Sequence, residues 1–178
     1  GSTGHAVGSG LVAIILGPWV AVVTTSVALL IQCLLFGDGG ITAFGANCFN
    51  MAVVIPFVAF YAYKFISGKT EITSRRRVLG AGIGGWLGLT VAAGVAGFEM
   101  GIQPILEHTA DGVPLYMPYG LGITVPAMLF GHAFFFSILE AIITALAFGY
   151  IARTDPTIIF NYKRAVEKRE GVRTTSPA

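Results

Sequence analysis

The sequence is poor in charge. Only 11% of its 178 residues are Asp, Glu, Lys or Arg, against roughly 25% in an ordinary soluble domain. From Gly1 to Tyr63 the one formal charge is Asp38, and between Val78 and Ala152 there is no Lys or Arg. A fold of this size has too much surface for so few polar residues to cover. That leaves almost no room for a soluble globular enzyme, and none for a disordered or nucleic-acid-binding chain. Histidine is equally scarce, with only His5, His108 and His132. HExxH, Walker A, GxSxG and ligand-spaced Cys/His clusters are all missing, so the common catalytic signatures are absent. The two cysteines, Cys33 and Cys48, have no CxxC spacing and sit in apolar surroundings, where small packing residues are expected. The first ten residues carry no basic lead, so they do not read as a cleavable signal peptide.

What the sequence does have is hydrophobicity. Apolar residues make up 54%, and there are 24 glycines; the mean hydropathy is +0.77. The expected fold class is an all-α integral membrane bundle, residues 1–154, followed by a polar tail, residues 155–178. Four apolar blocks stand out: residues 6–36, 41–66, 78–98 and about 119–152. A span of the roughly 30 Å hydrocarbon core needs about 20 residues. The first block is longer than that and contains Gly17-Pro18-Trp19, so it reads either as one helix or as a hairpin broken at the proline. In the third block Gly80, Gly84, Gly88, Ala92 and Ala96 form a stripe of small residues, suited to close helix packing within the bundle or between subunits.

Eleven basic residues fall in two patches, Lys64–Arg77 and Arg153–Arg173. Such patches mark the cytoplasmic side, with contact to anionic lipid as a second use. The turn at Asp38 and the loop containing Glu99, Glu107 and Asp111 then face outward. If the first block is a hairpin, His5 faces outward too. The stretch from Tyr162 to Arg169 has the pattern of a short interfacial helix.

Few residues are candidates for chemistry. His5 and His108 stand in polar surroundings, where solvation explains them. His132 and Glu140 lie inside the fourth block, and ionisable groups within a span are costly enough to suggest a role. On a regular helix they lie about 80° apart, each able to bond a neighbouring helix. Asn47 and Asn50 open the second block, where they could cap it or hold a segment folded into the bundle.

Five stretches in this order resemble one family. They are Ser2-Thr3-Gly4-His5; Leu16-Gly17-Pro18-Trp19; Leu34-Leu35-Phe36-Gly37-Asp38-Gly39-Gly40 with Gly45-Ala46-Asn47 and Asn50-Met51; Phe98-Glu99 with Gly101-Ile102-Gln103-Pro104; and Glu140-Ala141-Ile142-Ile143-Thr144. Together they are similar to the substrate-capturing membrane subunit of energy-coupling-factor cobalt and nickel importers, the CbiM/NikM family. The resemblance implies a seven-helix subunit with its N-terminus outside and C-terminus inside, of which this sequence holds about five helices. It selects the hairpin, with a short helix before Gly17-Pro18, and places His5 outside.

In that family an N-terminal Met-His segment enters the bundle and supplies metal ligands, and a downstream histidine completes the site. His5 matches the downstream histidine; the Met-His start and the first two helices are expected upstream of Gly1. Asn47, Asn50, His132 and Glu140 are candidate supporting residues. The implied cargo is Co²⁺ or Ni²⁺, suited to nitrogen ligands, with no resident cofactor and no catalytic residue in this chain. The implied partners are a membrane coupling subunit, two ATPase subunits and, in some systems, a small accessory membrane subunit, all at the plasma membrane. Three rival readings are weighed against this. A vitamin-specific subunit of the same importer class would need a larger pocket. A structural membrane subunit would bind nothing. An intramembrane metalloenzyme built on His132 and Glu140 would have too few ligands.

Overall fold

The structure is a computed structural model, and it describes Gly4, residues 6–160 and Tyr162. His5 and nearly all of the expected tail helix lie outside the described residues. Seven α-helical pieces follow in order: α1 (Ser9–Leu16), α2 (Pro18–Ile31), α3 (Phe44–Asn47), α4 (Ile55–Ser67), α5 (Arg75–Leu106), α6 (Leu121–Gly131) and α7 (Ser137–Thr154). Among the described residues there is no strand, only an isolated bridge between His108 and Pro114 in the loop after α5. Four helical stretches are long and apolar enough to cross a membrane: Pro18–Phe36, Phe44–Ser67, Arg75–Leu106 and Leu121–Thr154. With the short α1 they make the expected all-α integral membrane fold.

The first block is broken where the sequence suggests. Gly17 has φ 96° and ψ 154°, a conformation that a side chain disfavours, and Pro18 starts α2 at the position proline tolerates best. The other joins work differently. Three π-helical segments interrupt the spans: Gln32–Phe36 ends α2, Cys48–Val54 joins α3 to α4, and His132–Phe136 joins α6 to α7. Each widens the ladder to a five-residue bond, as in Gly37 N–H to Gln32 O, Ile55 N–H to Asn50 O and Ser137 N–H to His132 O. Pro56 gives a local cause for the second. It has no N–H to donate, and its ring crowds the carbonyl four residues back, at Ala52.

Helix α5 is the centre of the bundle. Half of its apolar stretch is buried (50%), against 17% for the α2 stretch and 22% for Leu121–Thr154. Its glycines explain how. A Cβ on Gly84 would stand 2.7 Å from Ala59 O, and one on Gly88 2.9 Å from Ile55 O. The small-residue stripe therefore packs on α4, within the chain. A second set faces α7, where Gly82 meets Ala141 O and Gly85 meets Thr144 Oγ1. Near its far end, Gly97 and Gly101 seat α6, and Thr124 Oγ1 donates to Gly97 O at 2.7 Å.

The turn between α4 and α5 is sewn together by polar atoms. The Ser74 side chain accepts from Arg77 N–H as the α5 N-cap, the usual use of serine there. Arg77 donates to Thr70 O at 2.9 Å and to Tyr63 Oη at 2.9 Å. Below it, a core of Ile14, Tyr63, Ala81, Phe148, Ala152 and Ile159 joins α1, α4, α5, α7 and the residues after α7. The outer faces of the bundle are the reverse of a soluble protein's. Trp19, Phe65, Leu146 and Tyr150 are all exposed, far more apolar surface than a monomer in water tolerates, and the right surface for lipid.

Candidate functional site

A cavity of about 280 Å³ opens among the helices away from the basic α4–α5 turn. The break after α2, the start of the second span, the middle of α5, and the α6–α7 helix all supply its walls. Five lining residues come from the π-helical segments: Gln32 and Cys33, Asn50 and Met51, and His132. Asp38, Gly39 and Gly40 close one side, Asn47 another, and Gly4 and Val7 enter from the N-terminal stretch. Leu89, Ala92 and Ala93 of α5 form an apolar floor. π-Turns recur at functional sites because they re-aim side chains without ending a helix. Here three of them turn polar groups toward one space.

The glycine turn is held by Asn47, whose Nδ2 donates to Gly39 O at 3.1 Å. Capping, one of the two roles expected for the asparagines, is not what they do: α3 has no side-chain cap. Holding a segment folded onto the bundle is. Asn50 is buried, and its Nδ2 donates to Glu99 Oε2 at 2.6 Å across to α5. Its Oδ1 is buried and has no hydrogen-bond partner among the described residues.

His132 is buried, and its Nδ1 lies 2.9 Å from Met128 O. A carbonyl can only accept, so Nδ1 carries a proton and Nε2 keeps its lone pair in the neutral ring. The expectation that His132 bonds a neighbouring helix is thus corrected, since its partner lies on its own helix, one turn back. The ring packs against Phe136, with centroids 5.4 Å apart.

Glu140 is 1% exposed and does reach a neighbour. Val7 N–H donates to its Oε2 at 2.9 Å, and Gly8 N–H to its Oε1 at 3.0 Å. The carboxylate is therefore not a cavity wall. The regular-helix estimate of the angle between His132 and Glu140 does not apply either, because the π-segment starting at His132 lies between them. His108 is exposed in the loop after α5.

The structure thus brings Asn47, Asn50 and His132 to one cavity and sets Glu140 behind it, at the start of α1. Sequence reasoning missed Gln32, Cys33 and Asp38 as lining groups, and Glu99 as the Asn50 partner. Glu99 carried a signal, being a carboxylate in an otherwise apolar run. Gln32 and Cys33 carried none, since only the π-turn exposes them to the cavity. Among the described residues no three His, Cys, Asp or Glu side chains gather closely enough to hold a metal ion by themselves.

Comparison with known proteins gives a consistent picture. The family model "Cobalt uptake substrate-specific transmembrane region", CbiM, matches residues 1–158. A "Probable fused nickel transport protein LarMN" of Lactiplantibacillus plantarum is 50% identical over 160 residues, 90% of this chain and 47% of its own length. A "Fused nickel transport protein NikMN" of Rhodobacter capsulatus is 50% identical over 159 residues, 89% of this chain and 46% of its own length. The chain therefore spans about half the length of these relatives. A crystal structure of a transition metal transporter superposes with a TM-score of 0.81 at 46% identity, covering 92% of this chain and 71% of that one. With the helical bundle, its broken first block and its glycine-turn cavity all in place, the chain belongs to the CbiM family.

Proposed function

We propose that this chain is the greater part of the metal-capturing subunit of an ATP-driven importer for Ni²⁺ or Co²⁺. The observation that carries the reading is the cavity, small and polar on one side, at the point where the N-terminal stretch meets the Asp38-Gly39-Gly40 turn. Its polar groups, Asp38, Asn47, Asn50 and His132, gather on one side around a small space. The nickel transport named for the fused relatives points the same way.

In this reading His5 is a metal ligand, and the remaining nitrogens come from residues upstream of Gly1. Neutral imidazole suits Ni²⁺ and Co²⁺ better than Mg²⁺ or Ca²⁺. Asn47 keeps the glycine turn over the cavity, and Asn50 and His132 line its wall. The metal is cargo, so no bond need be broken in this subunit. A membrane coupling subunit and two ATPase subunits would supply the work, with a small accessory membrane subunit where the system has one. The protein sits in the plasma membrane with the basic turn and the tail in the cytoplasm.

The test is His5→Ala in the full-length protein, titrated with Ni²⁺ by calorimetry. Losing one metal ligand should weaken binding at least tenfold, about 1.4 kcal/mol or more. His108→Ala, in an exposed loop, is the control and should bind as the parent does. Equal affinities for the parent and His5→Ala would remove His5 from the metal site.

A further inference from the structure

Helix α1 is too short to be stable alone. In an eight-residue helix the orphan backbone groups at the two ends outnumber the internal bonds. The structure meets this at both ends from one source. At the N-terminal end, Val7 N–H and Gly8 N–H both point at Glu140, and Gly8 N–H is shared between Oε1 at 3.0 Å and Oε2 at 3.3 Å. At the C-terminal end, Ile15 O accepts from Phe160 N–H. Glu140 belongs to α7, and Phe160 lies just beyond α7 in the chain.

The approach of Glu140 is prepared by two glycines. A Cβ on Gly85 of α5 would stand 3.5 Å from Glu140 Cγ and 3.0 Å from Thr144 Oγ1. Gly8 has φ 75°, which lets the chain turn so that successive N–H groups face the carboxylate. Upstream, a Cβ on Gly4 would run into the Phe136 ring, and Phe136 lies one turn before Glu140 on the same helix. The residues on either side of position 5 therefore both rest on the α6–α7 helix, Gly4 on Phe136 and Val7-Gly8 on Glu140.

A carboxylate has two acceptor oxygens and a charge that favours a helix N-terminus, and here both oxygens are used, on adjacent residues. That fixes the peptide planes as well as satisfying them. We propose that Glu140 is a positioning residue of the metal site: by holding the backbone at Val7 and Gly8, it fixes the N-terminal stretch against the cavity. This rests on the reading of His5 as a ligand. It also makes α7, which continues to the cytoplasmic end of the bundle in that reading, the element through which the outer site is held.

The experiment compares Glu140→Gln, Glu140→Asp and His5→Ala in the full-length protein, using Ni²⁺ alone as the probe. Affinity and the ligand-field absorption spectrum of the bound ion are both read. The amide keeps the shape but has one acceptor oxygen, so Glu140→Gln should bind Ni²⁺ at least tenfold more weakly, with a shifted spectrum. Glu140→Asp keeps charge and both oxygens one methylene short, and should fall between the parent and the amide on both readouts. It carries the test if Glu140→Gln does not fold, and must then differ from the parent in both. If His5→Ala weakens binding while the folded Glu140 variants match the parent in affinity and spectrum, the positioning role is overturned and the ligand reading stands. If His5→Ala itself binds as the parent does, the ligand reading falls, and the positioning role with it.

Discussion

Asn50 shows how much a single polar residue is asked to do inside a bilayer. Its amide nitrogen serves Glu99 at 2.6 Å while its buried carbonyl oxygen has no partner among the described residues. Removing the donor strands a partly buried carboxylate, so Asn50→Ala should cost about 1–3 kcal/mol. Asn50→Asp should cost more, because it removes the donor and sets two carboxylates face to face. Thermal unfolding in detergent should rank the parent above Asn50→Ala, and Asn50→Asp lowest. If Asn50→Ala unfolds together with the parent, the Asn50–Glu99 bond contributes nothing. In the sequence these residues were visible only as polar letters in apolar runs. Hydropathy marked Asn50, His132 and Glu140 as unusual. It could not pair Asn50 with Glu99, 49 positions on, nor show that Glu140 serves α1 backbone amides instead of the cavity. Those facts depend on which helices are neighbours.

At the scale of the element, the glycines of α5 divide by what they face. Gly84→Ala would press a methyl against Ala59 O, 2.7 Å from its ideal position, and backbone cannot step aside cheaply. Overpacking of this kind costs about 1–3 kcal/mol. Gly131, at the end of α6, has nothing within 4 Å of the same position. Gly131→Ala should be neutral or stabilising by up to about 1 kcal/mol, the difference in helix propensity. Unfolding midpoints of the two variants against the parent decide it, and equal shifts would mean the stripe is not packed as described. The four-residue spacing of Gly80, Gly84 and Gly88 was legible in the sequence, and so was the break at Gly17-Pro18. The three π-segments were not. They preserve the apolar run and change only the number of residues per turn, which a periodicity count over a short window does not resolve.

For the whole molecule, the decisive pattern is where the positive charges are. Lys64, Lys69, Arg75 and Arg76 are exposed around one turn, and Arg153 ends the last span. Only one orientation satisfies the bias of cytoplasmic loops toward Lys and Arg. Single cysteines placed at Ser74 and Asp111, in a chain whose own Cys33 and Cys48 are replaced by serine, should respond oppositely to an impermeant thiol reagent added to intact cells. Asp111 should label and Ser74 should not; the reverse would invert the topology and move the proposed site to the cytoplasm. The fold class and the four spans were available from hydropathy, because the bilayer demands the same thing of every span, though α5 runs on to Leu106, past the end of its apolar block at residue 98. The cavity was not, since its walls come from segments that adjoin only once the bundle is packed.

The double attachment of α1 has a consequence for how the protein is made. A chain is synthesised from its N-terminus, so α1 reaches the membrane before the other described helices. Yet the groups that complete it, the Glu140 carboxylate and the Phe160 N–H, belong to the last of the described spans and the residues just after it. Until the last span has been inserted, neither end of α1 has its partners, and eight residues (roughly 12 Å at about 1.5 Å each) cannot span the bilayer while waiting. The first of the described helices is therefore the last of them to take its final shape. A half-made subunit would have no ordered stretch at residues 6–8 to offer an ion, so only a finished and fully inserted chain would compete for scarce metal in the cell.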